Sequence, residues 1–265
     1  MKKKSKINHL IEIMQVLRHP EEGCPWDKKQ TFETIAPYTI EEAYEVFEAI
    51  KNKDQDSLKD ELGDLLFQIV FYAQMSKEKG GYDFEDIVEA ISNKMVQRHP
   101  HVFEKICTLS LKDQTMAWEK QKAFERSENL GQRGALDGVA LALPALIRAQ
   151  KLQKRAARVG FDWPNIEPVM EKIREEIDEV IDALNSKRNK DHIAEEIGDL
   201  LFSCVNLARH TGIDAEQALM GANEKFQQRF KFIELQLNDS GKNVEECSLE
   251  LLEELWNEAK SKESA

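Results

Sequence analysis

The feature that most constrains this chain is that it repeats itself. Glu41-Glu42-Ala43-Tyr44-Glu45-Val46 returns as Glu175-Glu176-Ile177-Asp178-Glu179-Val180. Nineteen residues after Glu42 comes Glu61-Leu62-Gly63-Asp64-Leu65-Leu66-Phe67, and twenty residues after Glu176 comes Glu196-Ile197-Gly198-Asp199-Leu200-Leu201-Phe202. Lys94 and Arg98 are matched by Lys225 and Arg229, and Trp118 by Trp256, each tryptophan with a lysine four residues on. Gly23-xx-Trp26 has an echo in Gly160-xx-Trp163. One order of motifs in both halves predicts two homologous domains.

Their fold class follows from spacing. Ile173, Ile177, Val180 and Leu184 recur at helical intervals, Leu65, Leu66, Ile69 and Val70 lie on a similar stripe, and no two-residue alternation is visible. The chain is predicted to be all-α, with two helical-bundle domains at 1–126 and 139–265. Ser127 to Gly138, with three glycines and mixed polarity, reads as the linker over 127–138. Gly80-Gly81 is expected to end a helix and Asp83 to cap the next, Pro144 to start one, and Lys260 to Ala265 to be a disordered tail.

The repeated motifs place carboxylates on one face. Residues three apart on a helix point the same way, so Glu176 and Glu179 share a face on the flank of the apolar stripe, with Lys172 and Ala183. In the next segment His192, Glu196, Asp199, Ser203 and Asn206 form a polar stripe beside Leu200, Leu201, Cys204 and Leu207. Such a stripe points to a polar site near the core. About twenty residues between motifs fits two antiparallel helices, across which the two faces meet. Four converging carboxylates need cations to stay ionised. Hard oxygen ligands suit Mg2+ or Mn2+ over zinc. A helical di-iron site needs Glu-x-x-His pairs that these motifs lack. In a chain with 49 acidic residues a single ExxE or ExxD is more often a solvated surface. Ordered repetition of both, each ExxD followed by Leu-Leu-Phe, reverses that balance.

Composition narrows the partner. A net charge of −12 opposes plain electrostatic binding to nucleic-acid polymers, whereas a phosphate substrate needs a metal cation in between. Four scattered cysteines without a CxxC pair, no export signal and no membrane-length apolar run lead to an expectation of a cytoplasmic protein with reduced thiols. Lys225 and Arg229, at i and i+4, can face one phosphate chain, and Trp256 can stack on a base, although alone each is more often a surface pair or a core tryptophan.

Together with Gly23-Cys24-Pro25-Trp26-Asp27, Gln30-Thr31, the run Arg98-His99-Pro100-His101-Val102-Phe103 and the segment Ala156 to Pro164, these motifs resemble the tandem-domain form of the MazG family, the all-α nucleoside triphosphate pyrophosphohydrolases. The likeness covers nearly the whole chain. It implies Mg2+-dependent hydrolysis of NTPs and dNTPs to the monophosphate and pyrophosphate, and a homodimer. Carried over by position, it implies Glu176, Glu179, Glu196 and Asp199 as metal ligands. Lys225, Arg229 and Lys172 become phosphate contacts and Trp256 a nucleotide contact. The N-terminal counterparts are Glu42, Glu45, Glu61, Asp64, Lys94, Arg98 and Trp118.

In that scheme a water acidified by the metal attacks the α-phosphorus, and Lys225 and Arg229 stabilise the leaving pyrophosphate. Glu175 and Glu195, which adjoin the motifs, are the candidate proton acceptors. The halves are unequal: Lys172 is matched by Tyr38, Asp178 by Tyr44 and Asn206 by Phe71. The C-terminal half is therefore expected to hold the main site. The competing reading is a regulatory module that binds Mg-nucleotide without turnover.

Overall fold

A computed structural model of the chain describes residues 5–103, 134–186 and 188–263. Those residues form helices and turns, with no strand among them. They fall into two compact units, Met1–Lys122 and Ala123–Ala265. Trp118 and positions 127–133 of the expected linker lie outside the described residues.

The first unit contains α1 (Lys6–Leu17), a 3-10 turn (Asp27–Lys29), α2 (Phe32–Asn52), α3 (Gln55–Glu78), α4 (Phe84–Arg98) and the short α5 (Pro100–Phe103). Its centre is a helical hairpin. Thr31 and Thr34 form a reciprocal capping box at the start of α2. At its end Lys53 turns left-handed (φ 55°), and Asp54 at once caps α3 through the amides of Asp56 and Ser57. The connection is so short that α3 must run back along α2. Helices α1 and α4 pack on α3. The core is Met14, Ile35, Val70, Phe71 and Met75. As the sequence predicts, Gly80-Gly81 closes α3, and Asp83 caps α4 in a box with Asp86.

The second unit contains α6 (Ala145–Arg158), α7 (Glu167–Asn185), α8 (Lys190–His210), α9 (Ala215–Asp239), a 3-10 turn (Val244–Glu246) and α10 (Leu249–Glu263). Pro144 sits at the start of α6, and Pro168 in the first turn of α7, where its missing N–H costs nothing. Asn189 caps α8 through the amide of His192. The α7/α8 pair repeats the α2/α3 hairpin, with α6 and α9 packed on α8 and α10 packed on α9. Its buried apolar residues are mostly small, namely Val169, Ala183, Val205, Ala215 and Ala259, joined by Ile233 and Leu237. Buried among them are the polar Gln150, Gln153, Glu176, Ser203 and Asn206.

One expectation changes. The tail read as disordered is helical through Glu263, because Glu263 forms a two-pronged ion pair with Arg229 of α9. The Ile173/Ile177/Val180/Leu184 stripe, apolar by its spacing, is only partly covered. Ile177 and Leu184 are exposed, as are Ile181, Ile197 and Leu201. Periodicity finds an apolar face but not what covers it.

Candidate active site

The hairpin brings together three of the four carboxylates expected to converge. Glu176 and Glu179 sit on α7, Glu196 and Asp199 on α8. One carboxylate oxygen from each of Glu176, Glu196 and Asp199 lies within 4.8 Å of the others. Glu179 is outside that trio and exposed. Partial desolvation against its neighbours, and then the negative charge of Glu176, push its carboxyl above the usual range.

Glu176 is the centre of the group. It is 4% exposed. One oxygen accepts from the Lys172 ammonium at 2.7 Å, while the other is buried without a partner. An orphaned carboxylate oxygen costs stability unless something positive reaches it. Three convergent hard oxygens, on carboxylates of which Glu176 also keeps an orphaned oxygen, fit a divalent cation of the magnesium or manganese type. Lys172 also bonds Glu175 at 2.7 Å, and these two carboxylates hold its pKa above the usual lysine value. Glu175 and Glu195, the candidate proton acceptors, are exposed. Glu195 lies 3.5 Å from His192 Nδ1, and the same ring's Nε2 lies 3.5 Å from Glu196.

Beside the trio opens a cleft of about 740 Å³, within the size range of small-molecule sites. Lys172, Glu176 and Asp199 line it, and Ser203 and Asn206 continue the polar stripe into it. Residues that sequence reasoning did not assign complete it. Arg209 grips Asp162 with both guanidinium arms, Nη1 at 2.8 Å from Oδ2 and Nη2 on Oδ1. Its Nε donates to Asn206 Oδ1 at 2.9 Å, and His210 Nε2 lies 3.1 Å from Asp162. The Arg209 hydrogen bonds hold the Asp162 carboxyl down to about 2. The clamp fixes Phe161 and Trp163 at the cleft. The sequence signals for it were the Gly160-xx-Trp163 echo and the segment Ala156 to Pro164.

The basic and aromatic residues assigned from the C-terminal helices gather elsewhere. Arg229 lies over the Trp256 ring at 5.3 Å, Trp256 packs on Phe226, and Glu263 pairs with Arg229. Lys225 lies close enough to Glu263 to help hold its carboxyl below the usual range, after Arg229. Neither Lys225, Arg229 nor Trp256 is among the described residues lining the cleft.

The N-terminal counterpart keeps the carboxylates. Glu42, Glu45 and Glu61 converge within 4.8 Å, with Asp64 outside the trio. Burial raises the pKa of Glu42, and Gln68 Nε2, at 3.3 Å, opposes the shift. Tyr38, at the Lys172 position, meets Trp26 edge-on at 6.3 Å. Phe71, at the Asn206 position, is core. The unit's pocket of about 250 Å³ lies between α1, α3 and α4, lined by Ile11, Val70, Lys77 and Phe84 and by none of the four carboxylates. Lys94 is exposed on α4. Arg98 ends that helix.

Both acidic hairpins fall inside segments that match one family model, the MazG nucleotide pyrophosphohydrolase domain, at residues 30–103 and again at 165–233. The chain belongs to the MazG family. A MazG relative in Escherichia coli (strain K12), a nucleoside triphosphate pyrophosphohydrolase, is 52% identical over 260 residues, 98% of each chain. A nucleoside triphosphate pyrophosphohydrolase/pyrophosphatase MazG of Thermotoga maritima is 43% identical over 251 residues, 95% of this chain and 94% of that one. Among solved structures, the mazG-related protein from Thermotoga maritima is 28% identical, with a TM-score of 0.38 over 44% of this chain and 98% of that one. The MazG matches take in Lys94, Arg98, Lys172, Lys225 and Arg229, and stop short of Trp256.

Proposed function

We propose that the protein hydrolyses nucleoside and deoxynucleoside triphosphates to the monophosphate and pyrophosphate, with Mg2+ or in its place Mn2+, and that the main site is in the C-terminal half. Two homologous domains, 1–126 and 139–265, joined by 127–138, carry it. The single observation behind this reading is the buried Glu176, paired to Lys172 by one oxygen and orphaned at the other. It stands beside Glu196 and Asp199 in a cleft large enough for a nucleotide. Both full-length relatives are nucleoside triphosphate pyrophosphohydrolases.

Glu176, Glu196 and Asp199 would hold the ion, with Glu179 completing the set from the exposed side. When bound, the ion offsets the repulsion between cluster and triphosphate and lowers the pKa of a water for attack on phosphorus. Lys172 keeps its charge beside Glu176 and faces the phosphates. Glu175 and Glu195 are assigned the proton from the attacking water. Glu42, Glu45, Glu61 and Asp64, with Lys94, Arg98 and Trp118, form the counterpart set.

Lys225, Arg229 and Trp256 contact the triphosphate and the nucleotide in this reading. Because they stand apart from the cleft within one chain, we assign them to the site of the second copy in a homodimer. The apolar face of α7/α8, with Ile177, Ile181, Leu184, Ile197 and Leu201 exposed, supports that assembly. So does Gly198, a mid-helix glycine with open space around its Cα, which lets another helix come close. We place the enzyme in the cytoplasm. Its described cysteines Cys24, Cys204 and Cys247 are free thiols, and none of its described helices is long and apolar enough to cross a membrane.

The test is a panel of NTPs and dNTPs with Mg2+, with products separated. Monophosphate plus pyrophosphate is expected. Diphosphate plus orthophosphate would make it a phosphatase, and binding without turnover a regulatory module.

A further inference from the structure

Among the described residues lining the cleft, one buried side-chain polar atom is used by neither the fold nor the metal site. Gln153 of α6 lines it, 7% exposed. Its Nε2 donates to the Phe202 carbonyl at 2.8 Å, while Oε1 is buried without a partner. That orientation is fixed. Turning the amide over would set Oε1 against the Phe202 carbonyl, oxygen on oxygen. Gln153 therefore brings a buried acceptor to the wall of the cleft, able to take an N–H and to give none. A buried amide oxygen left alone costs about 1–3 kcal/mol, so a ligand N–H there is favoured.

The surfaces around it are apolar and partly aromatic. Leu136, Leu152 and Phe202 line the cleft with Phe161 and Trp163. Phe161 is 83% exposed, an unusual place for a phenylalanine unless something covers it. The Arg209–Asp162 clamp holds the segment bearing both aromatics onto α8, and the Trp163 amide also donates to Asp162 Oδ1 at 3.0 Å. Flat apolar walls with one fixed acceptor are complementary to a nucleobase, which offers a π face and a ring-edge N–H. The charged residues of the proposed phosphate site line the same cleft.

We propose that this cleft is the nucleobase site, with Phe161 and Trp163 against the base and Gln153 Oε1 accepting an N–H from its edge. The assignment rests on the triphosphate hydrolysis proposed above and deepens it. It makes Gln153 a specificity residue, and Asp162 and Arg209 positioning residues that act through Phe161 and Trp163. Among the described residues, the pocket of the N-terminal unit is lined by none of its four carboxylates.

The test compares ATP with purine ribonucleoside triphosphate, which lacks the exocyclic amine and offers no N–H on the base, using the full chain with Mg2+. For the wild type, kcat/KM should favour ATP by about tenfold, the value of one hydrogen bond to an otherwise orphaned group. In Gln153→Leu the preference should fall to near unity. Trp163→Ala, at a partly exposed position, should raise KM for both nucleotides by about tenfold with kcat little changed. Equal wild-type kcat/KM for the two nucleotides would overturn the Gln153 contact. An unchanged KM in Trp163→Ala would overturn the base site, and that variant decides the matter if Gln153→Leu fails to fold. Absence of wild-type ATP turnover would instead overturn the hydrolase reading itself.

Discussion

The α2/α3 and α7/α8 hairpins carry the same carboxylates at the same spacing, and they differ in what surrounds them. Beside Glu176 the chain puts a lysine, a buried asparagine, a buried serine and an open cleft. Beside Glu42 the matching positions hold Tyr38 against Trp26, Phe71 in the core, and Gln68, which already donates to Glu42. A cation needs the carboxylates alone. A nucleotide needs room, a cation for its phosphates and a place for its base. The difference teaches that one carboxylate cluster can stand beside a polar cleft while the matching positions around its counterpart are filled by core packing.

The largest test of that trade is Phe71→Ala. Phe71 is 1% exposed, and its truncation should destabilise the protein by about 3–5 kcal/mol in urea unfolding. Asn206→Ala, at the matching position, should cost about 1 kcal/mol and act mainly on KM. Equal costs would erase the distinction between a packed half and an open one.

Next comes Lys172→Met, which leaves Glu176 buried without its cationic partner. Stability should drop by about 1–3 kcal/mol, with KM raised. Tyr38→Phe should stay within about 0.5 kcal/mol.

Mg2+ should stabilise the protein by about 1.4 kcal/mol at tenfold excess over its Kd, read by thermal unfolding against a chelator control. Glu179, Glu42 and Glu61 all have carboxyl pKa values raised chiefly by partial desolvation, so their ionised forms cost stability at neutral pH, and a cation relieves that cost. Glu196→Gln should lose more of this gain than Glu61→Gln.

The smallest effect lies at the clamp and has the opposite sign. Asp162 is depressed to about 2 by Arg209, so its contribution is fully present above the ordinary aspartate value near 3.8 and is lost as pH falls toward about 2. Asp162→Asn should be less stable than wild type at pH 7, with the gap closing between about pH 4 and 2.

Much of this was legible in the sequence. The hairpins, the caps at Asp83 and Pro144, and the meeting of Glu176 with Glu196 and Asp199 all follow from local spacing, because a helix maps sequence distance directly onto direction. The cleft did not follow. Gln153, Asp162 and Arg209 come from α6, a turn and the far end of α8, and no fixed interval links them. The exposure of Ile177 and Leu184 did not follow either, because periodicity reports an apolar stripe and is silent on its partner. The helical Lys260–Glu263 segment looked like a polar tail because its anchor, Arg229, is 34 residues away.

The most direct test of the C-terminal half as the main site is pyrophosphate release by Glu196→Gln and, separately, by Glu61→Gln, with folding checked for each. We predict that Glu196→Gln loses activity by about 100-fold or more and that Glu61→Gln stays within a few-fold of wild type. A loss confined to Glu61→Gln would contradict that assignment.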